Sequence, residues 1–87
     1  MNFGQALKAL KEGKKVRRSG WSDKSEYLYY VPAAAYVAMT DIAKEEWGDG
    51  GTVPYTAYIA KKTGERDVTP WNASHPDLLS EDWEIIS

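Results

Sequence analysis

The 87-residue chain has no cysteine and one histidine, His75. Without thiols it can form neither a disulfide nor a thiolate zinc site, and one imidazole makes a structural zinc centre improbable, so no metal or cofactor is expected. No apolar run approaches the roughly 20 residues that a membrane-spanning helix needs. The opening Met-Asn-Phe-Gly is not the basic-then-apolar start of a secretory leader. These absences agree with a reducing cytoplasm, where the protein is expected to act. A net charge of −2 argues against a DNA or RNA coat. A phosphate-cradling loop is also missing, because Gly48–Gly51 lacks the Lys-Ser/Thr ending and flanking elements. Phenylalanine occurs once, whereas tryptophan and tyrosine together number ten.

The chain is short enough that a single domain, residues 1–87, is the expectation. Folding a chain of this mass buries about 9,000 Å², contributing on the order of 135 kcal/mol if about 60% is apolar. Ordering it costs on the order of 130 kcal/mol at about 1.5 kcal/mol per residue. With disulfides and metals excluded, the expected supplement is association with further copies of itself. Charge is unevenly spread. Residues 1–24 hold seven Lys/Arg against Glu12 and Asp23, a balance of +5, and the remainder carries −7. The basic segment is either a solvated helix face or a meeting point for an anionic group.

Asn2 with Gln5 forms a capping-box pattern ahead of Phe3, Ala6, Leu7 and Leu10, predicting a helix over residues 3–12 ended at Gly13. Val16-Arg17-Arg18 reads as a short strand, and Tyr27–Val31 as the strongest strand by composition. Residues 33–53 are the least legible: Ala33–Ala35 favours helix, and Thr40 caps a helix through Trp47. Tyr55–Ala60 reads as a strand opened by Pro54. Lys61–Arg66 reads as a hairpin connection with Gly64 at positive φ, returning through Asp67–Thr69. Ser74 and Asp77 repeat the capping box before a helix near residues 75–80, and Trp83–Ile86 is a last strand. The fold class is therefore α+β: an N-terminal helix, a largely antiparallel sheet of about four or five strands, and a short C-terminal helix.

Catalytic chemistry is poorly supplied. His75 beside Pro76 reads as a solvated or capping residue, and the acidic pairs Glu81/Asp82 and Glu45/Glu46 as surface groups, so no catalytic residue is assigned. Binding is better supplied. Gly20-Trp21 follows Arg17 and Arg18, and Trp71-Asn72 follows Pro70. An indole stacks on a base and a guanidinium pairs with phosphate, although adjacent strand residues point apart, so Arg17 and Arg18 cannot both line one pocket. The tryptophans otherwise serve as core or subunit-interface rings, and Trp83 is the one most expected in the core.

The opening Met1–Trp21 stretch, with its Arg-Arg-Ser-Gly-Trp ending, resembles the start of a family of small phage and prophage proteins. The closing Pro70-Trp71-Asn72-Ala73-Ser74-His75-Pro76-Asp77-Leu78-Leu79-Ser80-Glu81-Asp82-Trp83 is similar to the same family's ending. That family is the second Thoeris anti-defence family. The resemblance implies a homotetrameric sponge that holds a cyclic ADP-ribose isomer between subunits without cleaving it, some members also binding cyclic dinucleotides. On that reading Trp21 is expected to stack on the adenine and Arg18 to hold the pyrophosphate, with Gly20, Trp71, Ser74, Asp77 and Asp82 shaping the pocket or binding ribose hydroxyls. Asp77 is equally readable as a helix cap. The rival expectations are an enzyme that cleaves the same nucleotide and a protein–protein interaction module with no nucleotide ligand.

Overall fold

Local signals at the start of the chain are realised in a computed structural model that describes residues 1–87. Helix α1 spans Phe3–Lys11. The Asn2 side chain accepts from the Gln5 N–H at 2.9 Å, and the Gln5 amide oxygen accepts from the Asn2 N–H at 2.9 Å. Ala6, Ala9 and Leu10 bury one face of α1, and Gly13, at φ +88°, turns the chain out of the helix.

The strands that follow are β1 (Val16–Arg18), β2 (Tyr27–Val31), β3 (Ala34–Val37), β4 (Thr52–Tyr55), β5 (Tyr58–Lys62), β6 (Val68–Pro70) and β7 (Trp83–Ile85). Helix α2 (Asp41–Trp47) lies between β3 and β4, and α3 (His75–Leu79) precedes β7. Five strands make one antiparallel sheet in the order β6-β5-β2-β1-β7. Val16 opposes both Leu28 and Ile85, Arg18 opposes Trp83, and Leu28 opposes Lys61. Opposed residues share a face, and alternate residues along a strand share it too. One face therefore carries Val16, Arg18, Leu28, Tyr30, Ile59, Lys61 and Trp83, and α1 packs there. The core is small: Ala6, Ala9, Leu10, Val16, Leu28 and Trp83, with Phe3, Trp21 and Trp71 among the half-buried rings against it.

Strands β3 and β4 pair only with each other, and with α2 they form an arm outside the main sheet. Thr40 caps α2 by accepting from the Ala43 N–H at 3.1 Å. The arm exposes large apolar side chains, with Met39 81% and Ile42 79% exposed. Its projection stretches the molecule to 46 × 26 × 24 Å, with a radius of gyration of 15.9 Å. A compact chain of this length has about 12 Å. The accessible surface of 5969 Å² likewise exceeds the scaling value of about 5,000 Å².

Four expectations are corrected, two in the arm and two in the hairpin that joins β5 to β6. Ala34 and Ala35 are strand rather than helix, because Tyr36 and Val37 behind them favour the pleated state and find partners in Val53 and Thr52. The single strand expected over Tyr55–Ala60 is two, interrupted at Thr56-Ala57, so that β4 and β5 join different sheets. Pro54 is tolerated because each strand of a two-stranded sheet is an edge. Lys61 and Lys62 belong to β5, and the turn proper is Thr63–Asp67, closed by the Thr63 N–H donating to the Asp67 carbonyl at 2.8 Å. Within that turn Arg66, not Gly64, holds positive φ, at 72°. Gly64 lies close to Asp23: a Cβ there would lie 2.0 Å from Asp23 Oδ2, so that carboxylate would have to move.

Candidate functional site

Arg17 and Arg18 point to opposite faces of the sheet. Arg17 Nε donates to Glu84 Oε1 at 2.9 Å on the face away from α1. Arg18 enters the helix side, where Nε donates to Asp82 Oδ1 at 2.8 Å and Nη1 to Asp77 Oδ1 at 2.9 Å. The other Asp82 oxygen accepts from the Gly20 N–H at 3.0 Å. The other Asp77 oxygen accepts from the Ser74 N–H at 3.1 Å, and Ser74 Oγ accepts from the Asp77 N–H at 3.2 Å. One guanidinium thus ties the end of β1 to the start of α3 and to the turn before β7. Five of the seven residues singled out in the sequence, Arg18, Gly20, Ser74, Asp77 and Asp82, fall in this one hydrogen-bonded cluster.

The charges in the cluster reinforce one another. Hydrogen bonds to Asp82 and Asp77 raise the Arg18 pKa. The Arg18 bond holds the Asp82 carboxyl below its ordinary value, with the Gly20 N–H assisting. For Asp77, burial pushes upward, but the Ser74 N–H and Arg18 outweigh it and the value falls. Both acids are therefore ionised at neutral pH, and the trio carries −1. Asp77 is a helix cap and an arginine ligand at once. Gly20 is required by close approach, since a Cβ would sit 2.8 Å from Asp82 Oδ2.

The other two singled-out residues, Trp21 and Trp71, stand against a common ring. Trp83, 2% exposed, meets Trp21 edge-on at 5.6 Å, Trp71 at 5.9 Å and Phe3 at 5.3 Å. Its indole N–H donates to the Asp77 carbonyl at 2.8 Å, joining the aromatic cluster to the charged one. Trp83 is core, as its alternation with Glu84 suggested. Trp21 and Trp71 are partly buried around it.

A protein-family model described as the Thoeris anti-defense 2-like domain matches residues 1–86. The chain belongs to this family. It is also similar to the protein named Thoeris anti-defense 2 from Bacillus phage SP01, with 33% identity over 87 residues, covering all of this chain and 96% of that protein.

For a member of the Thoeris anti-defense 2 family, the structure adds neighbours to the site that sequence reasoning passed over. Lys61 places its ammonium 4.6 Å from the Trp21 ring centroid, and Glu26 pairs with it at 3.4 Å. Phe3 buttresses Trp71 at 5.8 Å. Lys61 was hidden because its segment reads as a turn, whereas extending the Ile59 alternation by two residues puts it on the α1 face. A concavity of about 650 Å³ lies between the arm and the sheet, lined by Val31, Tyr36, Met39, Tyr55 and Tyr58 among others. It contains none of the seven residues singled out in the sequence. No helix is long and apolar enough to cross a membrane.

Proposed function

We propose that the protein is a phage anti-defence sponge that binds a cyclic ADP-ribose-type signalling nucleotide and withholds it, uncleaved, inside the infected host cell. Family membership supports the anti-defence role. The observation that carries the ligand reading is the pair of partly buried indoles, Trp21 and Trp71, braced on Trp83 beside the Arg18–Asp77–Asp82 cluster. An indole fixed from behind loses little freedom when a base stacks on it, which favours tight binding. In this reading Trp21 stacks on the base, Gly20 and Trp71 border the pocket, and Ser74, Asp77 and Asp82 hold its wall and present oxygens to ribose hydroxyls. Asp77 and Asp82, ionised and committed to Arg18, are poorly placed to shuttle protons at neutral pH, which favours retention over hydrolysis.

Assembly is the second element of the proposal. The arm leaves Tyr36, Val37, Met39, Ile42 and Tyr55 at least half exposed, a concentration of exposed apolar side chains that supports an interface role. We assign it to contacts between copies, forming a homotetramer.

A thermal-shift screen tests the ligand. Cyclic ADP-ribose isomers are expected to raise the Tm, and ADP-ribose and AMP to leave it unchanged. Heat-denaturing the complex then releases intact nucleotide. Release of a cleavage product would instead identify an enzyme, and a Tm indifferent to every nucleotide would favour a protein–protein module.

A further inference from the structure

The charge arithmetic of the site leaves a nucleotide's phosphates without a cation. Arg18 is bracketed by two carboxylates, so the trio it heads is net negative and repels a further anion. Two other lysines near this edge are anchored on backbone oxygens: Lys24 donates to the Ser19 carbonyl, and Lys62 to the Ser25 carbonyl at 3.2 Å. Lys61 is placed differently. It opposes Leu28 in the sheet, its side chain is 27% exposed, and its ammonium stands 4.6 Å from the Trp21 ring. Its ion pair with Glu26 spans 3.4 Å, longer than the 2.7–2.9 Å of a closed charge-assisted hydrogen bond.

We propose that Lys61 is the phosphate-binding residue of the Trp21 site, resting on the reading that a phosphate-bearing nucleotide stacks there. The sugar separates base from phosphate by only a few ångströms, and Lys61 lies within that range of the ring. Glu26 neutralises the ammonium in the free protein and is exchanged for phosphate on binding. Because a lysine acts as a compact charge with rotatable donors, it follows the phosphate rather than demanding one bidentate geometry. Arg18 then acts through the wall it holds together, and Lys61 carries the charge recognition.

The test compares wild type, Lys61→Met and Lys61→Arg by calorimetric titration at low and high salt. The probe is whichever cyclic ADP-ribose isomer most raises the wild-type Tm. Lys61→Met keeps an unbranched side chain beside Trp21 and removes the charge. It is expected to weaken binding about tenfold to hundredfold and to flatten the salt dependence, with Lys61→Arg staying within a few-fold of wild type. Lys61→Gln replaces Lys61→Met should the latter fail to fold. Unchanged affinity and salt dependence in Lys61→Met, with wild type binding normally, overturns the assignment and leaves the nucleotide reading standing. Equal losses in the methionine and arginine variants overturn it too, because they mark a role in shape. Wild type binding no isomer removes the nucleotide reading, and this assignment with it.

Discussion

Replacing Trp83 with phenylalanine removes the indole that joins the fold to the candidate site. The indole is buried, touches Phe3, Trp21 and Trp71, and donates to the Asp77 carbonyl at 2.8 Å. Losing that hydrogen bond costs about 1 kcal/mol. Losing the second ring's buried area costs about another 1 kcal/mol, and loosening three aromatic contacts adds a fraction more. The total is about 2–3 kcal/mol, which for a domain of this size lowers the Tm by about 10–20 °C. Urea and thermal unfolding at one fixed protomer concentration measure it, since assembly would otherwise move the transition. A loss below about 0.5 kcal/mol would refute the central role given to Trp83. So would a normal loss of stability with nucleotide affinity unchanged, because the ring is held here to brace Trp21 as well as to fill the core.

Acid should unfold the protein through its charged cluster. Asp77 and Asp82 titrate below their ordinary values when folded, so the stability they contribute is present above about pH 4 and is lost as pH falls through the folded-state values. Urea midpoints between neutral and strongly acidic pH should show that loss, and Arg18→Gln should lower stability at neutral pH while making the acid slope shallower. Gly20→Ala pushes a Cβ to 2.8 Å from Asp82 Oδ2 and displaces a carboxylate that Arg18 also holds. The expected result is a Tm lower by about 4–8 °C, readable by differential scanning fluorimetry. Met39→Glu changes a side chain 81% exposed in the isolated chain, so it should spare the secondary structure seen by circular dichroism yet reduce the mass found by sedimentation. An unchanged mass would place the subunit contacts elsewhere.

The parts of this fold that were legible are those whose causes are local. Asn2 with Gln5 and Ser74 with Asp77 sit within one helical turn of the groups they satisfy, so their patterns specify the starts of α1 and α3 directly. Trp83 alternating with Glu84 identified the buried face for the same reason. Residues 34–62 were less legible because the decisive interactions are distant in sequence. Ala34 and Ala35 become strand only when β4 arrives to pair with them, and nothing near Thr56-Ala57 announces that the chain changes sheets there. The site divides along the same line. Adjacency in the sequence singled out Arg18 and Trp21, and the family resemblance added Asp77 and Asp82, but that Arg18 joins both carboxylates depends on β1 lying beside β7, across more than sixty residues. Strand alternation places Lys61 on the α1 face, but only its register with β2 brings it beside Trp21.

On the proposed reading, binding at Trp21 couples to folding through the small core. Six buried residues form the central cluster, and the rings bordering the candidate pocket pack directly on it. A ligand that stacks on Trp21 therefore stabilises the fold as a whole, by about 2.7 kcal/mol at a free concentration one hundred times its Kd. That is comparable to the cost worked out for Trp83→Phe. Nucleotide at that excess should consequently restore most of the lost melting temperature only if the variant still binds. If Trp83 braces Trp21, the variant binds more weakly, and the ligand-induced rise in Tm is smaller than in wild type. An equal rise in both proteins would separate the two clusters energetically and leave Trp83 as core alone.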